Sequence, residues 1–192
     1  MDRELVDYIH ARLKTVINPK RYTHTLGVVD AAIYLAEKYG EDPLHAQIAA
    51  LLHDYAKDFT EKELKDYIEK YKIEVDKELF EAYQLLHGKV AAHIAKKEFN
   101  INNKNILNAI ENHTTGRSNM SRLEKIIYLA DFIEVGRNYP GVDELRLLVE
   151  EDLDKGLLKA LNNTIIYVLS IEGLLHPNTV YARNEILKIV KD

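Results

Sequence analysis

The chain has 192 residues, of which 46% are apolar and 30% charged, so it is long and apolar enough to bury a core. Cysteine is absent, which excludes disulfides, thiolate metal sites and thiol nucleophiles. The net charge of −5 argues against a general nucleic-acid-binding protein, because binding to a phosphate backbone requires an excess of Lys and Arg. The N-terminus lacks the pattern of a secretory signal, and no apolar run is long enough for a membrane span. We therefore expect a cytoplasmic protein with no membrane partner.

Apolar residues recur every three to four positions along most of the chain, which indicates amphipathic helices. The first apolar stripe runs from Leu5 to Ile17, and Asn18-Pro19 ends it. A second helix is predicted over about 22–39, with Gly40 as its C-terminal cap.

The third predicted helix begins at Asp42-Pro43, with Asp as the N-cap and Pro at the first helical position. It carries the apolar run at 48–52 and ends near Tyr55. A capping box at 60–63 predicts the start of a short polar helix. Further helices are predicted at about 76–85, 88–99, 104–113, 121–135, 143–172 (interrupted) and 179–190.

The alternation of apolar and polar residues that is typical of strands is missing, and no long linker divides the chain. The sequence therefore predicts one all-α domain over residues 1–192, a bundle of about ten helices joined by short connections.

Two sites combine acidic or imidazole side chains with strongly apolar surroundings. His53 and Asp54 directly follow the apolar run at 48–52, and Asp131 lies inside the apolar stretch 126–133. An unpaired carboxylate in such a place would cost several kcal/mol or would become protonated. We therefore expect a cationic group to face Asp131.

Three further histidines lie at predicted helix ends or junctions: His24, His87 and His113. Helix ends can converge on one pocket, and imidazole and carboxylate ligands without sulfur suit iron, manganese or a similar divalent ion. The residues alone also allow a simpler interpretation, in which these histidines cap helices and the buried Asp pairs with Arg or Lys. Three other histidines lie on amphipathic helices and are interpreted as surface or packing residues: His10, His45 and His93.

The ordered set of histidines and aspartates resembles the HD-domain superfamily of metal-dependent phosphohydrolases, which is named for its adjacent His-Asp pair. Longer stretches resemble one family within it, the YqeK-type symmetrical bis(5′-nucleosyl)-tetraphosphatases, over nearly the whole chain. These stretches are RYTHTLGV at 21–28, LLHDYAKD at 51–58, LLHGKVAA at 85–92, NHTTGR at 112–117, the block at 123–146 and HPNTVYARN at 176–184.

The resemblance implies a metal centre of one or two divalent ions, with iron as the expected metal. The first ion would be bound by His24, His53, Asp54 and Asp131. Asp54 would bridge to a second ion that His87 and His113 approach, or these two histidines would contact substrate phosphate instead.

The resemblance also implies a nucleotide site. Catalytic roles are predicted for Asp54, Lys57 and Arg137. From the residues alone, Lys57 follows Asp54 by three positions, and Arg137 follows Asp131 by six, so both cations could reach a phosphate at the metal. The predicted substrate-binding residues are Arg21, Gln84, Leu85, Leu86, His87, Gly88, His113, Thr114, Thr115, Arg137, Leu174, Leu175, His176, Pro177, Asn178 and Thr179.

The activity that the resemblance implies is hydrolysis of diadenosine tetraphosphate at its centre, which gives two ADP. The expected partners are a dinucleoside polyphosphate or a nucleoside diphosphate and, for the chain itself, a second copy in a homodimer. Two alternatives stay open. One is another HD-type hydrolase that acts on a nucleoside monophosphate or an alarmone, and the other is a nucleotide sensor without turnover.

Overall fold

A computed structural model describes residues 2–191, so the two ends of the predicted domain, residues 1 and 192, lie outside the described range. Within residues 2–191 the chain forms eleven α-helices, one short 3-10 helix at Tyr83–Leu85 and no strand, which confirms the predicted all-α fold. The helices are α1 (Asp2–Val16), α2 (Pro19–Tyr39), α3 (Pro43–Leu52), α4 (Glu61–Tyr71), α5 (Lys77–Glu81), α6 (Leu86–Glu98), α7 (Lys104–Asn112), α8 (Arg122–Ile133), α9 (Val142–Glu151), α10 (Leu153–Ser170) and α11 (Pro177–Lys191).

Helix α3 is the centre of the bundle, because α1, α2, α6, α7 and α8 all pack against it. Its small residues Ala46, Ala49 and Ala50 have no exposed surface, and they let the neighbouring helices approach closely. Leu51 and Leu52 are equally buried at its C-terminal end. As a result, the residues that follow α3 emerge inside the protein.

The ends of the helices are set by the capping residues that the sequence indicates. Asn18 accepts a hydrogen bond from the backbone N–H of Arg21 (3.0 Å), so α2 begins at Pro19, three residues before its predicted start. Gly40 ends α2 in the left-handed conformation, with φ +69°. Capping boxes with both reciprocal hydrogen bonds begin α4 and α8.

Other predicted helices differ from the structure at their ends. The helix predicted over 143–172 is interrupted at Asp152, which ends α9 and caps α10 by accepting from the N–H of Asp154 (2.8 Å). The segment 76–85 divides into α5 and the 3-10 helix, because Ala82 at ψ 61° leaves the helical conformation. Helix α3 ends three residues before Tyr55, and tight turns continue through residue 58.

No helix within the described range has the length and apolar character that a membrane crossing requires.

Helix α8 carries Asp131, so its packing supports the candidate site. We expect Ile126→Ala, at a position with no exposed surface, to lower the free energy of unfolding by about 2–5 kcal/mol through lost burial and a cavity. Urea denaturation followed by circular dichroism measures this change. The control Leu147→Ala, at a site that is 72% exposed, should change stability by less than about 0.5 kcal/mol. Equal losses in the two variants would contradict the assignment of α8 to the core.

Candidate metal centre

All the predicted ligands come together, although they lie on or directly after different helices. Nitrogen and oxygen atoms of His24, His53 and Asp131 lie within 4.8 Å of one another, and a second group shares His53. That second group contains His53, Asp54 and His113, and His87 lies beside it, with its Nε2 3.2 Å from Asp54 Oδ1.

The ring of His53 leaves one nitrogen without a partner. The ring is completely buried, and its Nδ1–H donates to the carbonyl oxygen of Ala50 (2.6 Å). Its Nε2 makes no hydrogen bond to any described residue, which is rare for a buried polar atom. The unprotonated Nε2 points into the ligand group, so the residues present fit a cation at this place.

His87 and His113 repeat this arrangement. Each donates its Nδ1–H to a carbonyl three residues earlier, to Gln84 (2.6 Å) and to Ile110 (2.7 Å). Their Nε2 atoms are 3.0 Å apart, and Asp54 Oδ1 is 3.2 and 3.5 Å from them. With the protons on Nδ1, three lone-pair-bearing atoms face one another, an arrangement that a cation between them stabilises.

The ionisation of two histidines and two aspartates at the site suits a divalent ion. His24 differs: burial alone would lower its pKa, but contacts with Asp131 and Glu134 outweigh burial and raise that pKa. Burial lowers the pKa of His53, and burial lowers the pKa of His87 to about 4, so both rings are neutral at neutral pH. Burial alone would raise the pKa of Asp54, but contacts with the histidines outweigh it and hold that pKa well below its usual range. For Asp131 too, burial is outweighed, chiefly by the hydrogen bond from His24, and its pKa is lowered. Neutral imidazoles and ionised carboxylates are the forms that bind metals.

Glu134 is a site residue that the sequence did not reveal. It is buried just after the end of α8, and its Oε1 lies 3.1 Å from His24 Nδ1. The other nitrogen of His24, Nε2, lies 3.0 Å from Asp131 Oδ1. A carboxylate that contacts the second nitrogen of a metal-binding histidine fixes the tautomer and orientation of the ring, and Glu134 has the place of such a positioning residue relative to His24.

Two glycines make room for the Glu134 carboxylate. A Cβ atom on Gly27 would lie 2.4 Å from Glu134 Oε2, and one on Gly136 would lie 3.0 Å from both carboxylate oxygens. The N–H of Gly136 also donates to Glu134. Gly27 stands three residues after His24 in the sequence, and this glycine beside a candidate ligand was the available signal of a close approach.

The cationic group expected at Asp131 is present. Arg137 donates from Nη2 to the Asp131 carboxylate and from Nε to its backbone oxygen (2.7 Å). Arg21 lies on the opposite side, where Nη1 donates to Asp54 Oδ2 (2.7 Å) and Nε to Asp58 Oδ1 (2.8 Å). Each arginine therefore touches one of the candidate metal-binding carboxylates.

Lys57 completes the cationic lining. It follows Asp54 in a tight turn, in which its N–H donates to the Asp54 carbonyl (3.0 Å), and its Nζ lies 3.4 Å from His87 Nε2. Burial lowers the pKa of Lys57. An open cleft of about 910 Å³ exposes Arg21, Lys57 and Arg137 together with His24, Asp54, His113 and Asp131; we call it the metal cleft.

Besides Arg21, His113, Thr114 and Arg137, which line the metal cleft itself, several predicted substrate residues line two smaller recesses that adjoin it. Gln84 and His87 line a side cleft of about 390 Å³ that shares Lys57 with it. A recess of about 60 Å³ shares Thr114 with it and is lined by Leu85, Thr115, His176 and Asn178.

Several of the predicted substrate residues are packed inside the protein or pair with other side chains. Leu86 is completely buried. A Cβ on Gly88 would lie 2.6 Å from the backbone oxygen of Glu111, so Gly88 allows the close contact between α6 and α7. His176 is buried against Asp76, at 3.1 Å from either carboxylate oxygen. Leu174 is exposed and Leu175 is half-buried in the loop before α11, while Pro177 and the buried Thr179 lie in its first turn.

An all-helical bundle with an adjacent His-Asp pair at a cluster of imidazoles and carboxylates defines a class of metal-binding hydrolases. The HD domain family model matches residues 21–136, more than half of the chain, and the chain therefore belongs to the HD-domain family. This confirms the resemblance seen in the sequence.

Relatives with assigned names match over most of their length. The chain is 40% identical to the symmetrical bis(5′-nucleosyl)-tetraphosphatase of Bacillus subtilis, over 91% of this chain and 93% of that one, and equally so to the protein of that name from Halalkalibacterium halodurans. The crystal structure of a predicted HD superfamily hydrolase involved in NAD metabolism, from Clostridium acetobutylicum, has a TM-score of 0.91 and 46% identity. The match covers 95% of this chain and 96% of the Clostridium protein.

Proposed function

We propose that this protein hydrolyses diadenosine tetraphosphate symmetrically to two ADP. The observation that carries the proposal is the convergence of His24, His53, Asp54, His113 and Asp131 at a cleft that also exposes three cationic side chains, Arg21, Lys57 and Arg137. Two relatives that match about nine-tenths of the chain are named for the same activity.

The proposed metal centre contains one or two divalent ions, and we propose iron. His24, His53, Asp54 and Asp131 would hold the first ion, and His87 and His113 would join Asp54 at the second. The support is a set of nitrogen and oxygen ligands without sulfur, together with the unpaired Nε2 of His53. When bound, such an ion lowers the pKa of a coordinated water from 15.7 to roughly 7 and stabilises charge on phosphoryl oxygens.

The chain's own cations would bind and orient the polyphosphate. Arg21, Lys57 and Arg137 all line the metal cleft, and the two arginines are held in place by carboxylates. Such positioning and charge neutralisation account for most of the catalysis in phosphoryl transfer, because the departing nucleoside diphosphate carries several negative charges.

One nucleoside diphosphate half would be anchored by the segments 84–88, 113–115 and 174–179. The loop after α7 is held by Arg117, which pairs with the buried Glu124 through two hydrogen bonds (2.6 and 2.8 Å). His176 is oriented by Asp76. The hydroxyl of Thr114 suits an anion, whereas the hydroxyl of Thr115 donates to the carbonyl of Gly116 (2.9 Å). The single domain over residues 1–192, the homodimer and the cytoplasmic location stay predictions.

The products test the activity directly. Purified protein of known metal content, incubated with diadenosine tetraphosphate, should give two ADP per substrate by chromatography. ATP plus AMP would contradict symmetrical cleavage. Release of phosphate or pyrophosphate from nucleoside monophosphates or alarmones would support another HD-type hydrolase, and binding without products would support a sensor. NAD⁺ belongs among the comparison substrates because the similar Clostridium protein is described as involved in NAD metabolism.

A further inference from the structure

A second cleft opens beside the metal cleft, between the loop after α8 and the second half of α10. It has a volume of about 600 Å³ and a mostly apolar lining, and we call it the aromatic cleft. It shares two residues with the metal cleft, Asp131 and Arg137. Its other walls include Phe132, Tyr139, Asn163 and Tyr167.

The wall formed by the loop is preformed. The hydroxyl of Tyr139 donates to the carbonyl of Phe132 (3.0 Å), which fixes the ring against the end of α8. Arg146 donates to the carbonyls of Ile133, Glu134 and Arg137 (3.0, 2.9 and 2.9 Å) and so ties the whole loop to α9. A ligand would not have to order this side of the cleft, which reduces the cost of binding.

The wall formed by α10 is unusual for a helix that packs in a bundle. The buried residues of α10 all lie in its first half, up to Leu161. In the second half Ile166 is 65% exposed and Tyr167 is 62% exposed. Asn163 faces the cleft with a side-chain amide that has no hydrogen-bond partner in the described part of the chain. An exposed aromatic ring beside free amide groups offers stacking and hydrogen bonds to a flat polar ligand.

The proposed substrate contains such a flat polar group, the adenine base of each nucleoside. Diadenosine tetraphosphate carries two identical nucleosides, and the segments proposed above for the first of them line recesses that adjoin the metal cleft at Lys57 and at Thr114. The aromatic cleft adjoins the metal cleft through Asp131 and Arg137 instead. A polyphosphate that crosses the metal cleft past Arg137 would therefore bring its other nucleoside here.

We propose that the aromatic cleft binds the second nucleoside of the substrate, with its base stacked on Tyr167 and its polar edge at Asn163. This assignment rests on the proposed function and deepens it. It explains how a chain with one metal centre can select a substrate with two nucleosides over one with a single nucleoside. Base-on-aromatic stacking corresponds to about a 5- to 100-fold effect on binding.

The test compares diadenosine tetraphosphate with adenosine 5′-tetraphosphate, which has the same four phosphates but only one nucleoside. In Tyr167→Ala, kcat/KM for the first substrate should fall about 5- to 100-fold, while that for the second changes less than about twofold. Tyr167→Phe should keep the wild-type preference because it keeps the stacking ring. Tyr8→Ala, which removes an exposed ring on α1 that lines neither cleft, is the matched control and should change neither value.

An equal loss with both substrates, or no loss with either, would overturn the assignment. Gel filtration of the same variants tests a second copy of the chain as the alternative occupant of this apolar face. If the wild type is a dimer, Tyr167→Ala is a monomer, and kcat/KM falls equally for both substrates, the face is an interface between two copies. Failure of the wild-type protein to form two ADP is a different result, because it would overturn the proposed function itself.

Discussion

Replacement of Asp54 by alanine should abolish both metal binding and turnover. Asp54 Oδ1 lies 3.2 Å from His87 Nε2 and 3.5 Å from His113 Nε2, and Oδ2 accepts from Arg21. Its loss removes the one carboxylate that all three side chains share. We expect kcat to fall at least about 10³-fold, because single electrostatic groups in active sites already contribute roughly 10²- to 10³-fold.

Elemental analysis of the purified variant measures the metal, and ADP release measures turnover. Asp66→Ala is the matched control, since Asp66 is an exposed carboxylate on α4 that pairs with Lys62 on the same helix. Its metal content and rate should equal those of the wild type. Full activity of Asp54→Ala in a sample without metal would exclude the proposed mechanism.

Replacement of Glu134 by glutamine should weaken the metal centre without unfolding the protein. One oxygen of the Glu134 carboxylate faces His24 Nδ1, and the other accepts a hydrogen bond from the N–H of Gly136, so an acceptor is required at both oxygen positions. An amide offers only one acceptor and places a donor against the other N–H. We expect metal affinity or kcat/KM to fall about 10- to 100-fold, as for other groups that orient metal-binding histidines.

Gly27→Ala should act in the same direction by a different route. Its Cβ would lie 2.4 Å from Glu134 Oε2, so the carboxylate would have to move away from His24. Metal titration by calorimetry, with the melting temperature recorded alongside, separates this effect from general instability. Glu37→Gln, an exposed change on the same helix as His24, is the control. Unchanged metal affinity in both Glu134→Gln and Gly27→Ala would show that Glu134 does not position His24.

Much of the candidate metal centre could be predicted from short stretches of sequence. The apolar run at 48–52 predicts a buried helix, and His53-Asp54 directly after it must then lie inside the protein. Asp131 could be assigned for the same reason, because its neighbours in 126–133 are apolar on nearly every side. The predicted ends of the helices were less accurate than the predicted helices themselves. Proline at the first position of α2 and the tight turns after α3 depend on local hydrogen bonds that periodicity does not report.

The all-helical class and the places where polar side chains enter an apolar interior could be predicted from periodicity and from the cost of burying charge, which act over a few residues. The family could be predicted from the motifs that surround the His-Asp pair. The contact of Glu134 with His24, 110 positions away, and the shared cleft of Tyr167, Tyr139 and Arg137 are visible only in the folded chain. Such contacts depend on how α2, α8 and α10 pack, and that packing is the sum of many small contacts that no single stretch of sequence contains.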